Sequence, residues 1–246
     1  MPAYPLRALV LRKTKLGETD LILTLLASDG RQVRAVAKGA RKPKGRLGAR
    51  SEPFTVVDLL LHSGRNLEII AEAETVASHD GLRSDYDRAT AAAVVADVLD
   101  KVAVEGQTEP QLFEMALVSL DVMEEAPHDA LPALVLAFLL KALAMQGYRP
   151  AFDACASCGG ALGDSPRFSV EAGGFVCDGC GGPASIRVPD DTRLYMRALM
   201  RARMSEVPGI EVPEDVRQDA LRTARAYLAF HIAARFRALD AYLAGV

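Results

Sequence analysis

Residues 21–38, LILTLLASDGRQVRAVAK, decide the fold class of the first part of the chain. Two apolar runs, at 21–26 and 32–38, flank the pair Asp29-Gly30, and the second run alternates apolar and polar residues as a half-buried strand does. An Asp-Gly pair between two such runs is a strong signal for a two-residue β-hairpin. The stretch therefore predicts two antiparallel strands with further strands on either side.

Three more short runs extend this pattern. Residues 6–13 (LRALVLRK) precede the hairpin, and residues 54–62 (FTVVDLLLH) and 66–76 (NLEIIAEAETV) follow it, joined by the turn Ser63-Gly64-Arg65. Five short strands with tight turns and one long connection predict a small closed barrel. The long connection lies between the third and fourth strands.

That connection, residues 36–50 (VAKGARKPKGRLGAR), contains six cations and no acid. Residues 1–50 hold twelve Lys+Arg against three Asp+Glu, although the whole chain has a net charge of −3. A basic end on an acidic body indicates a surface for a polyanion. We expect electrostatics to outweigh base stacking, because Tyr4 and Phe54 are the only aromatic residues of this half. The predicted contact residues are Lys38, Arg41, Lys42, Lys44, Arg46 and Arg50 in the connection, with Arg12, Lys13, Lys15, Arg31 and Arg34 extending the surface from the strands.

From about Asp80 the apolar residues recur with helical spacing, which predicts an α-helical body. Helices are expected near residues 82–99, 112–123, 131–145, 192–204 and 214–243. The most apolar stretch, residues 131–144, contains Pro132 and Lys141 and is interpreted as a buried helix rather than a membrane span. The first residues lack the pattern of a signal peptide, so the expected compartment is the cytoplasm.

All four cysteines lie in one segment of different composition, residues 151–187. Their spacing, C-x2-C-x18-C-x2-C, falls in the range of structural zinc sites, and a short hairpin is expected between the two pairs. Disulfides are disfavoured without an export signal, and a redox dithiol is normally a single C-x-x-C near a βαβ pattern. Four thiolates fill a tetrahedral ion, so we predict one structural zinc in a zinc ribbon. The predicted ligands are Cys155, Cys158, Cys177 and Cys180.

Motifs of common enzymes are absent from the sequence. No phosphate-binding loop, GxSxG or HExxH is present, and the four histidines show no metal-ligand spacing. We therefore predict that the chain is not an enzyme.

Four features together resemble the RecO family of bacterial recombination-repair proteins. They are residues 16–26 (LGETDLILTLL) after an opening strand, residues 36–41 (VAKGAR) leading through the basic connection to residues 50–54 (RSEPF), the helical body, and the four-cysteine insert. The resemblance covers essentially the whole chain. It implies an α+β protein in which an N-terminal five-stranded OB-fold β-barrel is followed by an α-helical domain with an inserted zinc ribbon. The expected boundaries are 1–78, 79–150, 151–187 and 188–246.

The resemblance also implies a function without turnover chemistry. Such proteins bind single- and double-stranded DNA, anneal complementary strands, and act with RecR and in some systems RecF. They load RecA onto DNA coated by single-strand-binding protein (SSB), whose acidic C-terminal tail they contact. The implied location is the cytoplasm, in association with the nucleoid.

Two other hypotheses for the function remain compatible with the sequence. The helical body can be a scaffold that binds proteins, with Arg193, Arg197, Arg201 and Arg203 receiving an acidic tail beside apolar neighbours, although an ordinary charged face explains these arginines equally well. Alternatively, the chain is a zinc-ribbon protein that binds RNA.

Overall fold

The first five strands of the chain close into a barrel. The computed structural model describes residues 3–43, 45–163 and 166–245. The strands are β1 (Ala3–Leu16), β2 (Asp20–Ala27), β3 (Gln32–Ala37), β4 (Val56–His62) and β5 (Glu68–Ala77). Around the barrel they follow the order β1-β2-β3-β5-β4, and β4 pairs with β1. Only β3 and β5 are parallel. This architecture confirms the predicted five-stranded barrel of the OB-fold class.

Alternation of side chains along the strands produces the barrel interior. In β3 the buried residues are Val33, Ala35 and Ala37, and the exposed Arg34 lies between them. Leucines of β1, β2 and β4, with Ile70 of β5, belong to the same core. Because a one-residue shift would turn every one of these side chains outward, the apolar pattern fixes the register.

Contacts divide the chain into two compact units, residues 1–125 with 236–246 and residues 126–235. The first unit contains the barrel and four helices. These helices are α1 (Asp80–Ser84), α2 (Tyr86–Val102), α3 (Pro110–Glu125) and, from the end of the chain, α7 (Arg237–Gly245). The boundaries expected from the sequence stay a prediction, because contact density does not test which segments fold independently.

Two helix predictions are wrong. The helix expected near residues 82–99 is interrupted at Asp85, where the backbone is extended and the side chain accepts a hydrogen bond from the backbone N–H of Arg88 at the start of α2. The single helix expected over residues 214–243 is two helices, α6 (Glu214–His231) and α7, because the backbone becomes extended at Ile232. Apolar residues recur with helical spacing on both sides of the break. Leu228 of α6 is buried and belongs to the second unit, whereas Leu239 of α7 is buried and belongs to the first. The carboxylate of Asp97 in α2 accepts a hydrogen bond of 3.0 Å from the backbone N–H of Ala238, which closes the first turn of α7.

Helix α4 (Leu131–Met145) is buried nearly all round in the second unit, as predicted. The window His128–Met145 is long and apolar enough to cross a membrane by length and composition, but 67% of it is buried inside the protein, as in a core helix. Its one cation, Lys141, donates hydrogen bonds of 3.0 and 2.7 Å to the carbonyl oxygens of Met200 and Ala202. Burial lowers the pKa of this lysine.

The cysteine-containing segment forms a small sheet in the second unit. Its strands are β6 (Arg167–Ser169), β7 (Gly174–Val176) and β8 (Ile186–Arg187), in the order β7-β6-β8. The pair β6–β7 is the hairpin expected between the cysteine pairs. Phe168 and Phe175 lie opposite each other and are fully buried, which attaches this small sheet to the helices. Phe168 packs edge-to-face against Tyr227 of α6, with ring centroids 5.3 Å apart, and the same unit contains α5 (Asp190–Arg201).

Candidate nucleic-acid interface and metal centre

The basic connection between β3 and β4 is folded into consecutive turns. Backbone hydrogen bonds of 2.8 to 3.2 Å link residues three apart, from Lys42 to Gly39, Gly45 to Lys42, Gly48 to Gly45 and Ser51 to Gly48. A Cβ atom at Gly45 would lie 2.6 Å from the carbonyl oxygen of Gly39, so the turns are tightly wound at this glycine. We call residues 38–51 the basic loop.

Two apolar side chains attach the basic loop to the barrel. Ala40 is buried in the barrel core, and Leu47 packs against that core from the loop. Between and beside them, the side chains of Lys38, Lys42 and Arg46 are exposed. The loop is therefore a structured platform that presents cations to solvent.

The beginning of the basic loop is held by the β1–β2 turn. One carboxylate oxygen of Asp20 accepts hydrogen bonds of 2.8 Å from the backbone N–H of Gly39 and from the hydroxyl of Thr19. The guanidinium of Arg41 donates to the carbonyl oxygens of Gly17 and Glu18 at 3.1 and 2.9 Å. The N–H donated by Gly39 lowers the pKa of Asp20, and the Thr19 hydroxyl lowers it further.

The end of the basic loop is held by β1. The ammonium group of Lys13 lies 2.5 and 2.6 Å from the two carboxylate oxygens of Glu52. The guanidinium of Arg50 turns back onto the carbonyl oxygen of Arg46, inside the loop itself. Phe54 then joins the barrel through a backbone hydrogen bond of 2.9 Å to Val10.

The predicted arginines of the strands and of the hairpin turn lie outside the barrel core. Arg12 is opposite Thr24, and Thr24 is opposite Arg34, so these arginines share one outward row. Arg12 lies 3.5 Å from the carboxylate of Asp100 in α2. Arg31 is paired with Asp29 at 2.9 Å in the hairpin turn.

Lys15 shares a cross-strand row with the residue that precedes the basic loop. It is opposite Leu21, and Leu21 is opposite Ala37, the residue before Lys38. Within the described residues, no hydrogen bond or ion pair engages the side-chain cation of Lys15, Arg34, Lys38, Lys42 or Arg46. These five cations are therefore available to a ligand, whereas Arg12, Lys13, Arg41 and Arg50 already have protein partners. Lys44 lies outside the described residues.

Two acids that belong to this site were not predicted from the sequence. Glu52 lies two residues after the acid-free window of residues 36–50, and Asp20 lies 16 residues before it, so the charge pattern of the window gave no sign of either contact. The available signal was the position of Asp20 at the end of residues 16–20, LGETD, beside the turn that receives the loop.

The four cysteine sulfur atoms lie within 4.8 Å of one another. Cys155 is buried, Cys158 is exposed, and the other two are intermediate. Each pair closes a tight turn, with hydrogen bonds of 2.8 Å from Gly159 to the carbonyl of Cys155 and 2.9 Å from Gly181 to that of Cys177. Gly159 has a φ of +72°, which favours glycine. One metal ion can reach all four sulfurs.

The electrostatics of the cysteine cluster also fit a cation. The backbone N–H of Cys177 points at the sulfur of Cys155 at 3.4 Å, and together with the N–H groups of Cys158 and Ser157 it lowers the pKa of Cys155 to about 6. The neighbouring sulfurs, Cys177 first, raise the pKa of Cys180 to about 12. The cluster therefore favours deprotonation of the first thiol and opposes deprotonation of the last. A bound dication would stabilise all four thiolates.

Comparisons with known proteins agree with the geometry along the whole chain. Residues 1–79 match the family model described as Recombination protein O N terminal, and residues 83–240 match Recombination protein O C terminal. The chain belongs to the RecO family. Curated relatives named DNA repair protein RecO include that of Nocardioides sp., 40% identical over 93% of this chain and 94% of the relative. Those of Thermobifida fusca and Frankia casuarinae are 37% and 39% identical, each over 97% of this chain and 98% of the relative.

The RecO-family membership places the chain among DNA repair proteins. In the structure, two of the segments that resemble this family contact each other, because LGETD and VAKGAR are joined by the hydrogen bond between Asp20 and Gly39. Such a contact between distant segments explains why both are needed to build one loop.

The arginines of α5 are paired within the second unit. Arg197 and Arg201 each lie 2.8 Å from the carboxylate of Asp153, and Arg193 lies 2.6 Å from Asp190. Asp153 thus partly neutralises the arginines that the sequence suggested as a binding site for an acidic tail. An acidic ligand there has to compete with this carboxylate.

Proposed function

We propose that the chain is a non-enzymatic, DNA-binding recombination mediator of the cytoplasm and nucleoid. In this proposal it binds single- and double-stranded DNA, anneals complementary strands and helps to load RecA onto SSB-coated DNA. Its proposed protein partners are RecR, RecF and the acidic tail of SSB. The observation that carries the proposal is the structured basic loop, whose exposed cations Lys38, Lys42 and Arg46 lack protein partners in the described part of the chain.

The chemistry of the loop suits a phosphate backbone better than base edges. Lysine and arginine side chains neutralise phosphates whatever the sequence, and this releases counterions. The predicted aromatic contacts are weak, because Phe54 is only 7% exposed and Tyr4 packs against the barrel core. We expect weak sequence preference and strong dependence on salt.

Salt titration tests the DNA-binding step. If Lys38, Lys42 and Arg46 contact phosphates of a single strand, they contribute roughly −2 to the slope of log K against log salt. Charge reversal at these three positions should remove that part of the slope. Reversal of Arg222, an exposed arginine of α6 in the second unit, is the matched control and should leave the slope unchanged. An unchanged slope in the triple variant would reject the interface.

A second assay tests the mediator step and the alternatives. Complementary strands coated with SSB should anneal faster with the unmodified chain than with the triple variant, and RecA filaments should form sooner in the presence of RecR. Equal affinity for RNA and DNA without annealing would support an RNA-binding protein instead. Full annealing by the triple variant would show that residues outside the basic loop bind the DNA.

For the cysteine cluster we propose one structural zinc ion. Zn–S bonds of about 2.3 Å in a tetrahedron require sulfur separations of about 3.8 Å. Cys158 and Cys177 lie 4.0 Å apart, so little rearrangement is needed. Cys155, Cys158, Cys177 and Cys180 would hold the ion, which supplies a crosslink between the two turns. Four sulfur ligands leave no position for a substrate, which supports a structural role.

A further inference from the structure

A carboxylate lies at the root of the basic loop. Asp20 is close enough to Lys38 and Lys42 for both cations to contribute to lowering its pKa, yet it forms no ion pair with either among the described residues. Its hydrogen bonds go instead to the backbone of Gly39 and the hydroxyl of Thr19. An acid at this position weakens the positive potential of a surface for DNA, so its presence requires a physical reason.

The hydrogen bond from Gly39 fixes where the turns of the basic loop begin. Gly39 has a φ of +67°, and its carbonyl oxygen accepts the first bond of the series, from Lys42 at 3.0 Å. Asp20 therefore orients the peptide unit that connects Lys38 with the first turn. The backbone N–H of Arg41 donates to the carbonyl of Thr19 at 2.9 Å, so a second bond joins the same two segments.

Two opposing effects of the carboxylate can be compared. Its repulsion of a phosphate acts partly through water of high dielectric and falls further with salt beyond roughly 8 to 10 Å, so the repulsion is weak. A hydrogen bond to a charged acceptor is short-range and strong, and holding several cations in one arrangement lowers the entropy lost on binding. The second effect is larger, since it acts on all the cations of the loop together.

We propose that Asp20 is a positioning residue for DNA binding, which orders the basic loop through Gly39 so that Lys38, Lys42 and Arg46 meet the phosphates together. Arg41 has the same positioning role, because its guanidinium donates hydrogen bonds to the carbonyls of Gly17 and Glu18 and so holds the loop to the β1–β2 turn. The inference rests on the proposed DNA-binding function. It assigns Asp20 and Arg41 to loop geometry, although Arg41 was predicted from the sequence to contact phosphate.

A charge-matched pair of variants tests the inference. D20N and D20A remove the same negative charge, so electrostatics alone predicts equal affinity for a single-stranded oligonucleotide. Asparagine keeps an oxygen that can accept from Gly39 and Thr19, whereas alanine does not. We expect D20A to bind roughly fivefold more weakly than D20N at the same salt, because alanine lacks the neutral hydrogen bond that the asparagine oxygen can still accept.

The salt slope separates positioning from a general loss of folded protein. With a disordered loop fewer cations engage at once, so the slope of D20A should be shallower than that of D20N. Partial unfolding lowers only the fraction of active protein, seen in the binding stoichiometry. Equal affinities and slopes for D20A and D20N would overturn the inference.

A milder variant covers the case in which D20A does not fold. T19V removes the hydroxyl that donates to Asp20 without changing any charge, and it should weaken binding in the same direction. Unchanged affinity for T19V, when D20A is unfolded, would also overturn the inference. Salt-insensitive binding by the unmodified chain would instead reject the proposed function, so the two failures are distinguishable.

Discussion

The Nδ1 atom of His79 lies 2.7 Å from the carbonyl oxygen of Phe54, and both residues have positive φ angles, +48° and +69°. Residues other than glycine rarely adopt this conformation, and each instance costs of order 1 to 3 kcal/mol. The other ring nitrogen of His79 lies 2.9 Å from Asp121 in α3. One buried imidazole thus connects the segment after the basic loop with the start and the third helix of the helical body.

Replacement of His79 should therefore destabilise the first unit. The side chain is only 4% exposed, and H79A removes both contacts while leaving the Phe54 carbonyl without its ring partner. We expect the free energy of unfolding to fall by about 1 to 3 kcal/mol in urea titrations. The control H62A, at the end of β4, should change it by about 0.5 kcal/mol or less. Equal stability of the two variants would contradict the role of the imidazole.

The last helix should stabilise the barrel-containing unit, although it follows the second unit in sequence. Leu239 is 1% exposed in the first unit, so L239A should lower the free energy of unfolding by about 2 to 5 kcal/mol. Hydrogen exchange should rise in α2 and stay unchanged in β6 and β7. L243A, on the same helix but partly exposed, is the matched control and should have a smaller effect. Increased exchange confined to β6 and β7 would contradict the placement of α7.

Metal removal should affect the cysteine-containing segment first. We expect one zinc per chain by atomic absorption, because four sulfurs surround a single position. Chelation, or the variant C177S, should abolish protection in β6 and β7 while the barrel strands keep theirs. Ser157 lies between two predicted ligands without being one, so the control variant S157A should retain the metal. A fully protected hairpin in metal-free protein would refute the structural role of zinc.

Acid should weaken one cross-strand pair of the barrel. The guanidinium of Arg7 lies 2.7 and 2.8 Å from the carboxylate of Asp58, and its hydrogen bonds lower the pKa of Asp58. A carboxyl with a lowered folded pKa adds stability above its unfolded value, about 3.9, and loses it as pH falls through the folded value. D58N should therefore be less stable than the unmodified chain at pH 7, with the difference shrinking at pH 3.

Urea unfolding at the two pH values measures that difference. Both proteins release any bound metal in acid, so only the difference between them is compared. The effect should be small and should decline with added salt, because both side chains are about half exposed. A difference that grows towards pH 3 would show the opposite sign and contradict the assignment.

Local patterns were sufficient to predict much of the fold. The pair Asp29-Gly30 and the alternation in β3 identified the first hairpin, and the spacing of the four cysteines identified their cluster. The predicted two-residue turn is wrong, because β2 ends at Ala27 and β3 begins only at Gln32, with the backbone N–H of Ala27 bonded to the carbonyl oxygen of Arg31. The same kind of reasoning failed at Ile232, because the apolar period that runs through α6 and α7 contains no sign that the two helices are buried in different units.

For the candidate interface, the sequence by itself determined that the charge is concentrated in residues 36–50, since this is a property of composition. Only the tertiary structure decided which cations are available. Lys13 pairs with Glu52, and Arg41 binds the β1–β2 turn, through contacts between residues 39 and 23 or 24 positions apart. The physical reason is range: strand alternation, turn chemistry and ligand spacing act between near neighbours, whereas a hydrogen-bond partner is chosen by where the barrel brings distant segments together.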